Sequence, residues 1–147
     1  MENESGTGLA SHLSVMHSVT NGSYTVLVVD DDPSVLSTYR RLLGRSGYTT
    51  VSEDNPLRVL SQNGDDLRSV DLVLLDYKMP EMDGLTLLAE LRRRECRARC
   101  ILISAYLNDE VRLQAKALGV DRVMEKPVDV KLLRGALADL LSSGLGS

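Results

Sequence analysis

The sequence lacks several features that would assign it to a particular class of protein. Its 147 residues contain no Phe and no Trp, and five Tyr are the only aromatic residues, so the core must be built mainly from aliphatic side chains. No segment approaches the roughly 18 apolar residues of a membrane span. The first residues are acidic and lead into no apolar run, which argues against a signal peptide. We therefore predict a cytoplasmic protein without membrane insertion.

Basic residues and cysteines are scarce as well. Seventeen Lys and Arg against 21 Asp and Glu give a formal net charge of -4. Because nucleic-acid phosphates require a basic surface, we expect no direct nucleic-acid binding. Cys96 and Cys100 have no further Cys or His pair beside them, so the sequence predicts free thiols and no zinc site.

The chain has room for one domain. Residues 1–23 are rich in Ser, Gly, Thr and Asn and have no periodicity, which predicts a flexible leader. Residues 142–147, SSGLGS, are interpreted as a tail. The domain is therefore expected to span residues 24–141.

Five short apolar runs within that domain alternate with stretches of helical spacing. The runs are Thr25–Val29, Thr49–Ser52, Val70–Leu75, Cys100–Ile103 and Arg122–Met124. Near-continuous Val, Ile and Leu are typical of strands buried on both faces of a parallel sheet, and the more polar second run suits an edge strand. Five helices, including a weak one over Pro56–Ser61, complete a doubly wound α/β fold.

Polar residues stand where these predicted strands end. The first strand leads into Asp30–Asp31–Asp32, the third into Asp76, the fourth into Ser104 and the fifth into Glu125–Lys126–Pro127. In doubly wound sheets the functional residues gather at the carboxyl ends of the strands. We therefore expect these side chains to converge on one pocket.

The residue types suit phosphoryl transfer. Crowded carboxylates repel one another, and a hard divalent cation such as Mg²⁺ relieves the repulsion while it contacts phosphate oxygens. Lys126 offers a compact positive charge and Ser104 a hydroxyl donor. Asp76 would then be the nucleophile.

Plainer interpretations exist for each residue alone. Asp32–Pro33 suits an ordinary turn and helix start, and a single Asp, Ser or Lys–Pro indicates little. The coincidence of suitable residues at four strand ends is what favours the functional interpretation.

Four segments resemble the receiver domain of two-component response regulators: VLVVDDDPS, LVLLDYKMPEMDGL, ILISA and MEKP. The resemblance covers about residues 24–141. It implies a flavodoxin-like (βα)₅ fold with a five-stranded parallel sheet in the order 2-1-3-4-5. It also implies a phosphoacceptor role in a two-component or phosphorelay system.

Carried over to this chain, the resemblance makes Asp76 the phosphoacceptor. Asp31 would be a direct Mg²⁺ (or Mn²⁺) ligand, and Asp30 would act largely through metal-bound water. Asp76 itself and the backbone carbonyl of Lys78 would complete the metal site.

The remaining site residues follow in the same way. Ser104 matches the hydroxyl residue that turns toward the phosphoryl group, and Lys126 matches the family's lysine. The peptide bond before Pro127 is expected to be cis. Asp32 would cap the first helix, with Pro33 at its first position.

The resemblance also implies partners. A histidine kinase or a phosphotransfer protein would donate the phosphoryl group. The output would pass through an unknown protein, an effector domain missing from this chain or a phosphorylation-linked dimer. The domain would catalyse only its own phosphorylation and dephosphorylation, so it is not expected to be an enzyme in the ordinary sense.

One position departs from the family. Receivers usually carry Phe or Tyr three residues before the lysine, where this chain has Val123. The resemblance therefore does not imply output through the helix 4–strand 5–helix 5 face, counted on the five predicted helices. Tyr106 either packs over the site in place of that ring or is a simple loop residue.

A haloacid-dehalogenase-type phosphatase is the enzymatic alternative. Such enzymes also use a D-x-D after the first strand, then a Ser or Thr and a Lys. The alternative lacks an acidic pair at a strand end after Lys126, because Asp129 and Asp139 fall in or beside the last predicted helix. It also leaves DYKMPEMDG unexplained.

Overall fold

The structure, a computed structural model, describes residues 23–146, so the predicted leader lies outside it except for Ser23. The strands are β1 (Thr25–Val29), β2 (Thr49–Glu53), β3 (Leu72–Asp76), β4 (Arg99–Ser104) and β5 (Arg122–Glu125). The helices are α1 (Pro33–Arg45), α2 (Pro56–Leu60), α3 (Gly64–Arg68), α4 (Gly84–Arg93), α5 (Asp109–Ala117) and α6 (Val130–Gly146). In this part of the chain, no helix has the length and apolar composition needed to cross a membrane.

All five strands form one parallel sheet in the order β2-β1-β3-β4-β5. The order 2-1-3-4-5 that the resemblance implies is confirmed. Strands β1 and β3 are buried along their whole length, as their apolar runs predict. Strand β2 lies at one edge and is half-buried throughout, which confirms the interpretation of the most polar run as an edge strand.

Helix starts follow from local capping. The carboxylate of Asp32 accepts the backbone N–H of Ser34 at 2.9 Å, and Pro33 occupies the first position of α1. This satisfies an N–H that the helix itself cannot pair, and it confirms the predicted cap. Asp83 caps α4 in the same way by accepting the N–H of Thr86 at 2.8 Å.

The crossover from β2 to β3 differs from the prediction, because it holds two short helices instead of one. Asn55 caps α2, and Asn63 caps α3 by accepting the N–H of Asp65 at 2.7 Å. Helix α3 has five residues, of which Leu67 alone is buried. One apolar residue cannot produce a helical period, so the pattern leaves this helix undetected.

Several element boundaries differ as well. Strands β3 and β4 include Asp76 and Ser104 as their last residues, where the apolar runs stop one residue earlier. Helix α6 continues to Gly146, past the end of the domain expected at Leu141.

Two hydrophobic clusters cover the two faces of the sheet. Val26 and Val28 of β1 pack with α1 and α6, whereas Leu27 and Val29 pack with α2, α3, α4 and α5. This alternation along one strand is what a sheet covered on both faces requires. Cys96 is buried in the cluster that contains Leu27 and Val29. Like Cys100, it is a free thiol, as predicted.

Aspartates secure the amino-terminal edge of the sheet, opposite the predicted site. Asp71 Oδ2 accepts the N–H of Thr25 at 2.8 Å, and Asp121 Oδ2 accepts the N–H of Cys100 at 2.9 Å. Each carboxylate therefore pairs a backbone donor in the first two residues of a neighbouring strand.

Asp121→Ala should lower the free energy of unfolding by about 1–3 kcal/mol, because it leaves a buried amide without its acceptor. Urea denaturation measures the change. The control is Asp139→Ala, which removes an exposed ion pair with Arg122 and should cost less than about 1 kcal/mol. Equal losses in the two variants would contradict the role given to Asp121.

Candidate functional site

The four predicted strand ends meet at one edge of the sheet. Asp30 follows β1, Asp76 ends β3, Ser104 ends β4 and Lys126 follows β5. All four line a single cleft of about 930 Å³, whose walls also include Asp31, Lys78 and Tyr106. The structure thus brings together every residue that the sequence predicted for the site.

Three carboxylates line the cleft. Asp30, Asp31 and Asp76 can each place an oxygen within 4.8 Å of the others. Asp30 and Asp76 are almost fully buried, at 2% and 6% exposure, whereas Asp31 is exposed. Asp30 Oδ1 accepts the N–H of Asp32 at 2.9 Å, which fixes its carboxylate inside the turn from β1 to α1.

Lys126 joins the two buried carboxylates. Its Nζ lies 3.2 Å from Asp76 Oδ1 and 3.5 Å from Asp30 Oδ2. Its own backbone N–H donates to the carbonyl of Ser104 at 2.9 Å. The Lys126–Pro127 peptide bond is cis, as the resemblance implies. One ammonium therefore faces two carboxylates, which leaves the cluster with an excess of negative charge.

The pKa values in the site reflect this crowding. Burial, and after it the charge of Asp30, raises the pKa of Asp76 to about 6, although Lys126 opposes the change. Burial also raises the pKa of Asp30, against the Asp32 N–H and Lys126. For Lys126, burial lowers the pKa, but the charges of Asp30 and Asp76 outweigh it and the pKa is raised. Near neutral pH the ionised cluster is therefore electrostatically strained.

This donor set fits a divalent cation. Oxygen ligands at this spacing, one of them open to solvent, suit Mg²⁺, which keeps part of its hydration shell. Lys78, the other residue predicted for the metal site, lies in the wall of the same cleft.

The Ser104 hydroxyl is engaged by its own loop. Its Oγ donates to the carbonyl of Tyr106 and accepts the N–H of Tyr106, both at 3.1 Å. Ser104 is buried, at 2% exposure. The hydroxyl therefore fixes the backbone of the loop that borders the carboxylates.

Tyr106 does not pack over the site. Its side chain is 77% exposed, so the ring lies in solvent. Val123 is half-buried and packs against the core face that contains α4 and α5. The structure therefore favours the interpretation of Tyr106 as a loop residue with an outward-facing ring.

Two neighbours of the site were missed by reasoning from the sequence. Tyr39 is a buried residue of α1, and burial, then the charges of Asp30 and Asp76, raises its pKa to about 12. Its position as the single ring in an aliphatic stripe was the available signal. Gly84 lies against the Asp76 backbone, a contact that no sequence pattern reports.

The arginines at and after the end of α4 make hydrogen bonds and ion pairs within the domain. Arg92 donates to the carbonyls of Cys96 and Ala98, Arg94 pairs with Glu90, and Arg99 pairs with Asp121. These contacts are typical of a solvated helix end.

Comparison with known proteins identifies the family. The sequence model for the response regulator receiver domain matches residues 26–138. The chain belongs to the response regulator receiver domain family. As a receiver domain, it has a phosphoacceptor role in two-component signalling. With the family established, the haloacid-dehalogenase alternative is discarded.

Curated relatives of this receiver domain differ in length. It is 30% identical over 116 residues to sporulation initiation phosphotransferase F of Bacillus subtilis (strain 168), which covers 79% of this chain and 92% of that protein. It is 34% identical over 119 residues to transcriptional regulatory protein GlrR of Escherichia coli (strain K12). The chain spans only 26% of GlrR's length.

Solved structures agree with the fold. The receiver domain superposes on the signal receiver domain of an HD domain-containing protein from Pseudomonas fluorescens Pf-5 with a TM-score of 0.76 and 27% identity. That match covers 85% of this chain and 99% of the other. A CheY-like receiver from Methanospirillum hungatei JF-1 matches with a TM-score of 0.74 at 24% identity.

Proposed function

We propose that Asp76 is the residue of this receiver domain that accepts the phosphoryl group. The observation that carries the proposal is the position of its carboxylate, 3.2 Å from Lys126 Nζ in the acidic cleft. With a pKa of about 6, Asp76 is mostly ionised at pH 7.5 and can act as a nucleophile.

In the proposed reaction a histidine kinase or phosphotransfer protein presents a phosphohistidine. An Asp76 carboxylate oxygen attacks phosphorus as the phosphorus–nitrogen bond breaks, and the leaving imidazole keeps the electron pair and takes up a proton. Lys126 offsets the negative charge on the transferring group, a form of electrostatic stabilisation.

The proposed Mg²⁺ (or Mn²⁺) ligands are Asp30, Asp31, Asp76 and the Lys78 carbonyl. When bound, the ion would neutralise charge on the carboxylates and on the phosphoryl oxygens. The chain itself supplies the fixed oxygens, because burial and the Asp32 N–H hold the Asp30 carboxylate in place.

Mg²⁺ should stabilise the domain, by about 1.4 kcal/mol at a concentration ten times its dissociation constant. Asp31→Ala should remove most of this gain, whereas Asp65→Ala on α3, whose carboxylate is exposed, should retain it. Thermal unfolding over a Mg²⁺ titration measures both. An undiminished gain in Asp31→Ala would contradict the proposed metal site.

Ser104 is the proposed sensor of the phosphoryl group. If its Oγ turns toward phosphorylated Asp76, both hydrogen bonds to the Tyr106 backbone must break. The loop that carries the exposed ring would then change conformation, a shift between two states of the kind that switches partner binding.

Because the chain has no Trp, Tyr106→Trp provides a single fluorescent reporter of that loop. Its emission should change when the protein is phosphorylated and should stay constant when Ser104→Ala is added. Intact mass confirms equal phosphorylation in the two proteins. A similar change in both would rule out Ser104 as the link.

The wider role is proposed from the same family. The domain would reside in the cytoplasm and act on no separate substrate. Its output would pass through a partner protein, a phosphorylation-linked dimer or a further domain.

Mapping the modified residue tests whether Asp76 is the phosphoacceptor, because borohydride converts an aspartyl phosphate to homoserine. Homoserine at position 76 is expected, and homoserine at position 30 would overturn the assignment.

A further inference from the structure

Gly84, the first residue of α4, touches the backbone of the proposed phosphoacceptor. A Cβ placed on Gly84 would lie 2.4 Å from the carbonyl oxygen of Asp76 and 3.2 Å from its carbonyl carbon. Real Cβ atoms do not approach other heavy atoms to 2.4 Å. The space beside Asp76 therefore admits glycine and no other residue unless the backbone moves.

Hydrogen bonds hold the backbone on both sides of this contact. The N–H of Gly84 donates to the carbonyl of Tyr77 at 2.7 Å, and the N–H of Tyr77 donates to the carbonyl of Ile103 in β4 at 2.8 Å. The Asp83 cap fixes the start of α4 from the other side. A side chain at position 84 would therefore push against a restrained strand end.

A second, softer contact adjoins the first. The same Cβ would lie 3.2 Å from Leu102 Cδ1, the end of a side chain that can rotate. The contact with the Asp76 carbonyl cannot be relieved in this way. The two contacts can thus be separated by mutation.

We infer that Gly84 is a positioning residue for phosphorylation. Because Gly84 has no side chain, α4 can begin against the Asp76 carbonyl, and the Asp76 carboxylate keeps its position relative to Lys126, Asp30 and Asp31. This inference rests on the proposed role of Asp76. A methyl group at position 84, whose nearest neighbours would be the Asp76 carbonyl and Leu102 Cδ1, should therefore slow phosphorylation by displacing the nucleophile.

Gly84→Ala tests the inference. The rate constant for phosphorylation by phosphoramidate at saturating donor and Mg²⁺ should fall about tenfold to a hundredfold, the effect of misplacing a reacting group by about 1 Å. The Mg²⁺ dissociation constant should rise as well. Both are measured at a temperature where circular dichroism shows the variant to be folded.

The matched control is Gly135→Ala in α6, where an added Cβ meets nothing within 4 Å. It should keep the wild-type rate constant and Mg²⁺ affinity. A structural role alone would lower the melting temperature of Gly84→Ala while these two quantities stay at wild-type values. That result would overturn the inference.

The double variant Gly84→Ala/Leu102→Val separates the two contacts, because Val lacks the Cδ1 atom. A persistently low rate constant supports the contact with Asp76. A restored rate constant assigns the effect to packing against Leu102 and overturns the inference.

The double variant also replaces Gly84→Ala if the latter does not fold. If neither folds, Gly84 serves folding and the inference fails. Absence of label on Asp76 in the wild-type protein would instead refute the proposed function.

Discussion

Lys126→Ala should reduce the phosphorylation rate constant by about 10²–10³, the loss typical of removing one preorganised charge-stabilising donor. Among residues 23–146, Lys126 Nζ is the one cation that pairs with these carboxylates, 3.2 Å from Asp76 and 3.5 Å from Asp30. Without it, the transferring group would meet three carboxylates and no ammonium. Stopped reactions with phosphoramidate at saturating Mg²⁺, analysed by intact mass, give the rate constant.

Two further variants sharpen this prediction. Lys116→Ala removes an exposed lysine of α5 and should leave the rate constant unchanged. Lys126→Arg keeps the charge but replaces a compact ammonium with a planar guanidinium, so we expect incomplete recovery. A Lys126→Ala rate constant within twofold of the wild-type value would exclude the charge-stabilising role.

Asp76→Asn should make the metal-free protein more stable at pH 7.5, by about 1–3 kcal/mol. The folded-state pKa of Asp76 is raised from 3.8 to about 6, so ionisation of this carboxyl group disfavours folding. That cost is absent below pH 4, grows as the pH rises from about 4 to 6, and is complete above this range. The substitution also removes the ion pair with Lys126, so we expect a gain near the lower end of this range.

Urea denaturation at pH 7.5 and pH 4, with EDTA present, measures the effect. The gain should shrink at pH 4, because the wild-type carboxyl group is then largely protonated. Asp139→Asn provides the control, since Asp139 is exposed and does not line the cleft. A destabilised Asp76→Asn at pH 7.5 would mean that the ion pair with Lys126 outweighs burial and repulsion.

The sheet and its site were predictable because their signals are local. Strands β1, β3 and β4 are continuous apolar runs, and parallel strands place their carboxyl ends at one edge. Asp30, Asp76, Ser104 and Lys126 therefore had to meet once the strand order was given. The cap at Asp32 was predictable for the same reason, since it depends on residues within one turn.

The features that escaped prediction depend on tertiary contacts. Helix α3 buries only Leu67, which is too little for a periodic pattern. The role of Gly84 depends on its distance from the Asp76 carbonyl, a residue eight positions earlier on another element. The position of the Tyr106 ring stayed open between two interpretations, because residue types alone do not specify the hydrogen bonds that join Ser104 Oγ to the Tyr106 backbone.

The most direct test of the central claim is intact mass after incubation with phosphoramidate and Mg²⁺. The wild-type protein should gain the mass of one phosphoryl group, and the gain should be absent with EDTA and in Asp76→Ala. Asp139→Ala should behave as the wild type. Full labelling of Asp76→Ala, or labelling that persists without a divalent cation, would contradict the assignment of Asp76 as the metal-dependent phosphoacceptor.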